Sequence, residues 1–231
     1  MIPAEKIIVA LDTQDKNKLS SLFTSLEGHP VWIKVGMELF YSFGPAVIHE
    51  AKEKGYKVFL DLKLHDIPNT VSQALKTLMS LPIDMVNVHA AGGSEMMRRA
   101  SEVVKSSARS PLLIAVTQLT STTQEEMNRD QKIPGELLES VVHYASLAKK
   151  CGCDGVVSSP WEVSEIKKAC GKNFYTVTPG IRPMGSETQD QKRITTPAEA
   201  LKLGSDFMVI GRPITAAPDP RASLETILKG I

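Results

Sequence analysis

Cysteine is scarce in this chain. The three residues, Cys151, Cys153 and Cys170, are odd in number, and their C-x-C spacing makes neither a disulfide framework nor a zinc site. They read as small thiols of a reducing compartment. A charge excess is missing too: 27 Lys and Arg against 26 Asp and Glu leave a formal +1. Generic binding of nucleic acid or membrane headgroups needs a basic surplus, so neither is expected as a partner. No apolar run approaches the roughly 18 residues of a membrane span. Met1 to Lys6 leads directly into Ile7-Ile8-Val9-Ala10-Leu11, too short for a signal-peptide core and without a cleavage site, so a cytoplasmic location is expected. The histidines, His65 and His89 among them, show no metal-ligand spacing and read as polar packing or supporting groups.

What is present is ordinary globular composition, with 42% hydrophobic and 23% charged residues in 231, and a regular rhythm. Short β-branched runs recur at Lys6 to Leu11, Val31 to Val35, Lys57 to Leu62, Met85 to Val88, Leu112 to Val116, Gly155 to Val157, Phe174 to Val177 and Phe207 to Ile210. Between them lie segments with helical apolar spacing, such as Val71, Leu75 and Leu78, or Leu137, Leu138, Val141, Val142 and Ala145. Asp15 is placed to cap a helix through Leu26, with Gly28 ending it. Strands that alternate with helices pair in parallel through right-handed crossovers. Eight such units predict an α/β fold, a (β/α)8 TIM barrel formed as a single domain over residues 1–231. A doubly wound open sheet is the alternative, but it would favour glycine in the first turn, which reads Leu11-Asp12-Thr13-Gln14. Two polar loops are long. Gln118 to Lys132 has room for a short helix at Gln124 to Arg129, and the 180–197 stretch reads as a lid.

In a barrel, chemistry sits where strands end, and charged residues gather there. Asp61 and Lys63, two apart in one strand, share a face with Phe59, while Val58, Leu60 and Leu62 share the other. They make either a structural ion pair at the rim or a reactive pair in the mouth. Asp66, just ahead of Ile67-Pro68, reads equally as a helix cap or as a site residue. Lys34 is hard to justify inside an apolar strand unless it snorkels or works. Lys34, Asp61, Lys63 and Asp66 together suit an alternating array of cations and anions. Gly211-Arg212-Pro213 is a plain turn or, with Arg182, Gln191 and Arg193, an oxyanion grip at the usual phosphate position of barrels.

These residues resemble a known family. Asp61-Leu62-Lys63-Leu64-His65-Asp66-Ile67-Pro68-Asn69-Thr70 is similar to the D-x-K-x-x-D signature of the orotidine 5′-phosphate decarboxylases of bacterial type. Val9-Ala10-Leu11-Asp12, Lys34-Val35-Gly36, Thr178-Pro179-Gly180-Ile181-Arg182-Pro183 and Val209-Ile210-Gly211-Arg212-Pro213-Ile214-Thr215 extend the likeness over essentially the whole chain. Metal-dependent sugar-phosphate decarboxylases and aldol-type synthases share D-x-K-x-x-D but are expected to carry an acid where Lys34 stands. The resemblance implies decarboxylation of orotidine 5′-monophosphate to UMP and carbon dioxide, the last step of UMP biosynthesis, with no cofactor and no metal. It implies that Lys63 protonates C6, with Asp61 and Asp66 flanking it. Asp66 and Thr70 would come from the other subunit of a homodimer. Asp12 and Lys34 would bind the ribose and Thr120 the pyrimidine edge, while Pro179, Arg182, Gln191, Gly211 and Arg212 would bind or cover the phosphate end. A metal-dependent relative's activity and a catalytically silent phosphate-ligand sensor are the competing readings.

Overall fold

The computed structural model describes residues 1–183 and 195–230. Among them, eight parallel strands close into a barrel in chain order: β1 (Ile7–Leu11), β2 (Trp32–Gly36), β3 (Lys57–Leu64), β4 (Met85–His89), β5 (Leu112–Val116), β6 (Gly155–Val157), β7 (Tyr175–Thr178) and β8 (Phe207–Ile210). Around it run α1 (Lys16–Leu26), α2 (Met37–Phe43), α3 (Ala46–Glu53), α4 (Pro68–Leu78), α5 (Gly93–Ser106), α6 (Gln124–Arg129), α7 (Leu137–Lys150), α8 (Val163–Cys170), α9 (Pro197–Leu203), α10 (Arg212–Thr215) and α11 (Pro220–Lys229). The TIM barrel read from the strand rhythm is therefore the fold, and strand limits shift by no more than two residues. The doubly wound alternative falls because β1 pairs with β8 through Ile8 and Val209, which closes the sheet.

Strand alternation divides the core. Ile8, Ala10, Trp32, Phe59, Met85, Ile114, Val177 and Val209 pack inside the barrel. Their neighbours Ile7, Val9, Ile33, Val35, Val58 and Leu60 join helix residues such as Leu19, Phe23 and Leu75 in the layer outside. Burying each large side chain favours folding by about 1.5–3 kcal/mol, so both strand faces must be apolar. Trp32 meets Phe207 edge-on at 5.2 Å among the residues filling the interior. As expected, Asp15 caps α1, accepting from the Asn17 and Lys18 amides at 2.8 and 3.3 Å, and α6 forms at Gln124–Arg129 behind a Thr123/Glu126 capping box. In α7, Val141 and Ala145 are buried but Leu138, read as part of the apolar face, is exposed.

A repeated device secures the entry ends of the strands. Asp84, Asp154 and Asp206 each stand one residue ahead of an even strand. Each carboxylate accepts an amide of the preceding odd strand: Val58 at 2.7 Å, Leu113 at 2.8 Å and Thr176 at 2.8 Å. Lys52 and Lys167 pair with the first and last of these at 2.8 and 2.6 Å. Such charge-assisted bonds are worth about 1.5–3 kcal/mol each. No such repeat stood out in the sequence, because only one residue per unit carries it.

Candidate active site

At the exit ends of the strands the interior changes character from one side to the other. On β5 to β8, Val116, Val157, Val177 and Val209 line a cavity of about 220 Å³. On β2 and β3 the same cavity is lined by Lys34, Phe59, Asp61 and Lys63, and the loop after β5 adds Gln118, Leu119, Thr120 and Ser121. A flat apolar group fits one wall while charges meet its edge from the other.

Asp61 is the hub of the charged side. Only 7% exposed, its Oδ1 accepts from Lys63 Nζ at 2.7 Å and from Asn87 Nδ2 at 2.7 Å. Its Oδ2 lies 3.4 Å from Lys34 Nζ, which is also 3.4 Å from Asp12 Oδ1. Burial by itself raises a carboxyl's proton affinity. Here the Lys34 and Lys63 ammonium groups and the two hydrogen bonds outweigh it and hold Asp61 below the usual carboxylate range. The array thus runs Asp12, Lys34, Asp61, Lys63, and Lys34 is a bridge rather than a snorkelling side chain.

Local backbone geometry makes this possible. Phe59 and Asp61 share the inner face by strand alternation, as the spacing predicts. At Lys63 the alternation breaks: φ is +51°, the β3–β4 register shifts between Leu60 and Leu64, and the Lys63 amide donates to Asn87 Oδ1 at 2.8 Å. A non-glycine residue in this region costs roughly 1–3 kcal/mol and persists where its surroundings fix it. Asn87 does so, and sequence reasoning passed over it. The signal was a polar residue within Met85-Val86-Asn87-Val88, fully buried on the inner face.

Asp66 departs from its capping reading. The N-cap of α4 is Ile67, with Pro68 at the first helical turn, and Asp66 Oδ1 accepts the Ile67 amide at 2.7 Å. The capping alternative is therefore corrected: the side chain sits one residue too early to reach the helix amides. Nor does Asp66 enter the ion array within the chain; it and Thr70 are exposed and line neither this cavity nor the adjoining one. Asp12 completes the array instead. His65 and His89 stack at 5.3 Å beside Lys63; burial first, then His65 and Lys63, hold the His89 imidazole below its usual range.

An adjoining cavity of about 570 Å³ shares Lys34, Pro179 and Val209 with the first and is lined further by Asp12, Gly180, Arg182, Gly211 and Arg212. Lys18, not singled out in the sequence, also lines it. Arg182 is only 7% exposed; one terminal nitrogen donates to its neighbour's carbonyl, Ile181 O, at 3.1 Å, and its Nε has no partner among the described residues. Burial, then the nearby Arg212 charge, lowers its proton affinity. Two guanidinium groups lining one cavity, one of them with a buried donor that has no partner among the described residues, suit a dianion. The Gly180 carbonyl accepts the Thr195 amide at 3.1 Å and the Arg182 amide donates to Thr195 O at 2.9 Å, so the ends of the long seventh loop are tied together. Gln191 and Arg193 lie outside the described residues, as does most of the expected lid.

Among the described residues no cluster of three or more His, Cys, Asp or Glu has metal-site geometry, and no helix is long and apolar enough to cross a membrane. The three cysteines are buried and free.

Comparison with known proteins matches residues 5–227 to the family model described as Orotidine 5'-phosphate decarboxylase / HUMPS family. The chain is 49% identical over 228 residues to an orotidine 5'-phosphate decarboxylase of Bacillus mycoides, covering 97% of this chain and 96% of that protein. The crystal structure of an orotidine 5'-phosphate decarboxylase from Lactobacillus acidophilus superposes with a TM-score of 0.84 at 42% identity, over 96% of this chain and 97% of the other. An uncharacterized conserved protein from Geobacillus kaustophilus gives 0.84 at 45% identity, over 96% and 99%.

Proposed function

The chain belongs to the orotidine 5'-phosphate decarboxylase / HUMPS family, and from that premise we infer that it acts as a carboxy-lyase on orotidine 5′-monophosphate, releasing UMP and carbon dioxide in pyrimidine biosynthesis. One observation carries the choice within the family. The carboxylates of Asp12 and Asp61, which a divalent ion would need, are already bridged by the Lys34 ammonium at 3.4 Å from each. The donor set therefore suits an ammonium rather than a metal ion, and the reaction is read as metal-free.

The two cavities divide the substrate. The apolar wall of Val116, Val157, Val177 and Val209 takes the pyrimidine, with Thr120 at its edge, and Asp12 and Lys34 hold the ribose hydroxyls. Arg182, Arg212, the Gly211 backbone and Pro179 surround the phosphate. This places the C6 carboxylate beside Asp61 and Lys63. Repulsion from Asp61 at ~4 Å and an effective dielectric of ~20 amounts to about 4 kcal/mol. Enzymes lower barriers by about 8–23 kcal/mol, so repulsion alone falls short. The larger part falls to Lys63, whose ammonium stabilises charge developing at C6 as carbon dioxide departs and then delivers the proton there. Phosphate contacts remote from C6 contribute binding energy that closes and orients the site.

The catalytic unit is proposed to be a homodimer in which Asp66 and Thr70 reach the partner's site. Support comes from their exposure, from Ile67 between them at 66% exposed, and from Asp66 standing three residues from Lys63 while making no ion pair with it. Buried thiols and the absence of a spanning helix among the described residues are consistent with a cytoplasmic enzyme. The deciding experiment follows orotidylate absorbance with purified protein in excess chelator. Steady loss of absorbance is expected; loss only after divalent metal is restored would overturn the metal-free reading, and no loss under either condition would overturn the orotidylate reading.

A further inference from the structure

Gly36 closes β2 and caps α2, yet nothing in its backbone asks for glycine. Its φ of −86° and ψ of −177° are open to any residue, and serine, asparagine or aspartate would cap the helix at least as well. What a side chain would meet is different. A Cβ at this position would lie 2.7 Å from Lys34 Nζ and 3.1 Å from Asp12 Oδ1. These two atoms are themselves 3.4 Å apart, so a methyl group would wedge against both partners of the pair at once. Across the sheet, Gly36 is registered with Asp61, the lysine's other partner. The glycine thus borders the space through which the ammonium passes to stand equally far from Asp12 and Asp61.

We propose that Gly36 is a positioning residue for the decarboxylation: by carrying no side chain it lets Lys34 bridge Asp12 and Asp61, and so sets both the ribose contact and the charge balance at the reactive carboxylate. The inference rests on the decarboxylase reading above and deepens it. A Cβ forces the Lys34 tip to retreat by about 0.7 Å, from 2.7 Å to the 3.4 Å where ordinary contact begins. The tip of a lysine can move that far without unfolding the barrel, so the cost falls on function. Misplacement on the order of 1 Å can cost about 100-fold in rate.

The test compares wild type, Gly36→Ala and Gly36→Ser for kcat/KM on orotidine 5′-monophosphate and for thermal midpoint, with UMP affinity by calorimetry in both the Lys34 and the Lys34→Ala backgrounds. Gly36→Ala is expected to lose roughly 10- to 100-fold in kcat/KM. Gly36→Ser, which supplies a capping hydroxyl, should hold the thermal midpoint and still lose activity. With Lys34 removed, Gly36→Ala should change UMP affinity far less than it does with Lys34 present, because only the looser 3.1 Å approach to Asp12 Oδ1 is left. Wild-type rates in Gly36→Ala, or an equal loss of UMP affinity with and without Lys34, would overturn the proposal while leaving the decarboxylase reading intact. A wild-type protein without turnover would overturn that reading and the proposal with it.

Discussion

Asn87 holds Lys63 by its backbone: the Lys63 amide donates to Asn87 Oδ1 at 2.8 Å while Asn87 Nδ2 donates to Asp61 Oδ1 at 2.7 Å. One buried amide therefore fixes both Asp61 and Lys63 and supports the left-handed conformation of Lys63. Asn87→Ala leaves a buried amide hydrogen without a partner and removes a donor from Asp61. Stability should fall by about 1–3 kcal/mol in urea titration. The kcat should fall more than KM rises, since Lys63 loses its aim rather than the substrate its contacts. Unchanged stability and unchanged kcat together would refute this role.

Lys63→Ala should abolish turnover while UMP binding stays measurable by calorimetry. The residues proposed to hold the phosphate and ribose line the adjoining cavity, and Lys63 does not. Turnover near the wild-type rate would remove Lys63 from the mechanism.

Deleting the substrate's phosphate tests the guanidinium pair. Several charge-assisted bonds of about 1.5–3 kcal/mol each are lost together, so kcat/KM for the nucleoside orotidine should drop by more than ~10³-fold. Near-equal values for nucleotide and nucleoside would show that Arg182 and Arg212 do not grip that end.

Asp61 gives a pH signature. Its carboxyl is held below the usual range, so its stabilising contribution is fully present above the unfolded value of about 3.9 and is lost as pH falls through the lower folded value. Asp61→Asn should therefore cost roughly 3–5 kcal/mol near neutrality, having left two lysines without their shared partner. The gap from wild type should narrow on acidification below about pH 4. A gap that stays constant from pH 7 to pH 3 would contradict the ion-array geometry.

Most of the barrel was legible because each strand is an apolar, β-branched run and each turn is polar. Asp61 and Lys34 were legible for the complementary reason, as charges inside such runs. What escaped depends on backbone departures and on partners distant in sequence. Strand alternation alone puts Lys63 on the inner face, but the turn at φ +51° and the register shift that aim it are invisible in a period of two. Of the two readings of Asp66, the cap fails because Pro68 places the helix start one residue later, with Ile67 at the N-cap. Asn87 and the entry-end aspartates went unread since a single polar residue at a strand carries no pattern of its own.

The three aspartates beneath β4, β6 and β8 and the ion array at the exits of β1 to β3 share no residue. Substitutions at the strand exits therefore leave the fastening of the entry ends untouched. An exchange at Lys34 on the second strand would leave Asp84, Asp154 and Asp206 with their amide partners and the foundation of the barrel unchanged.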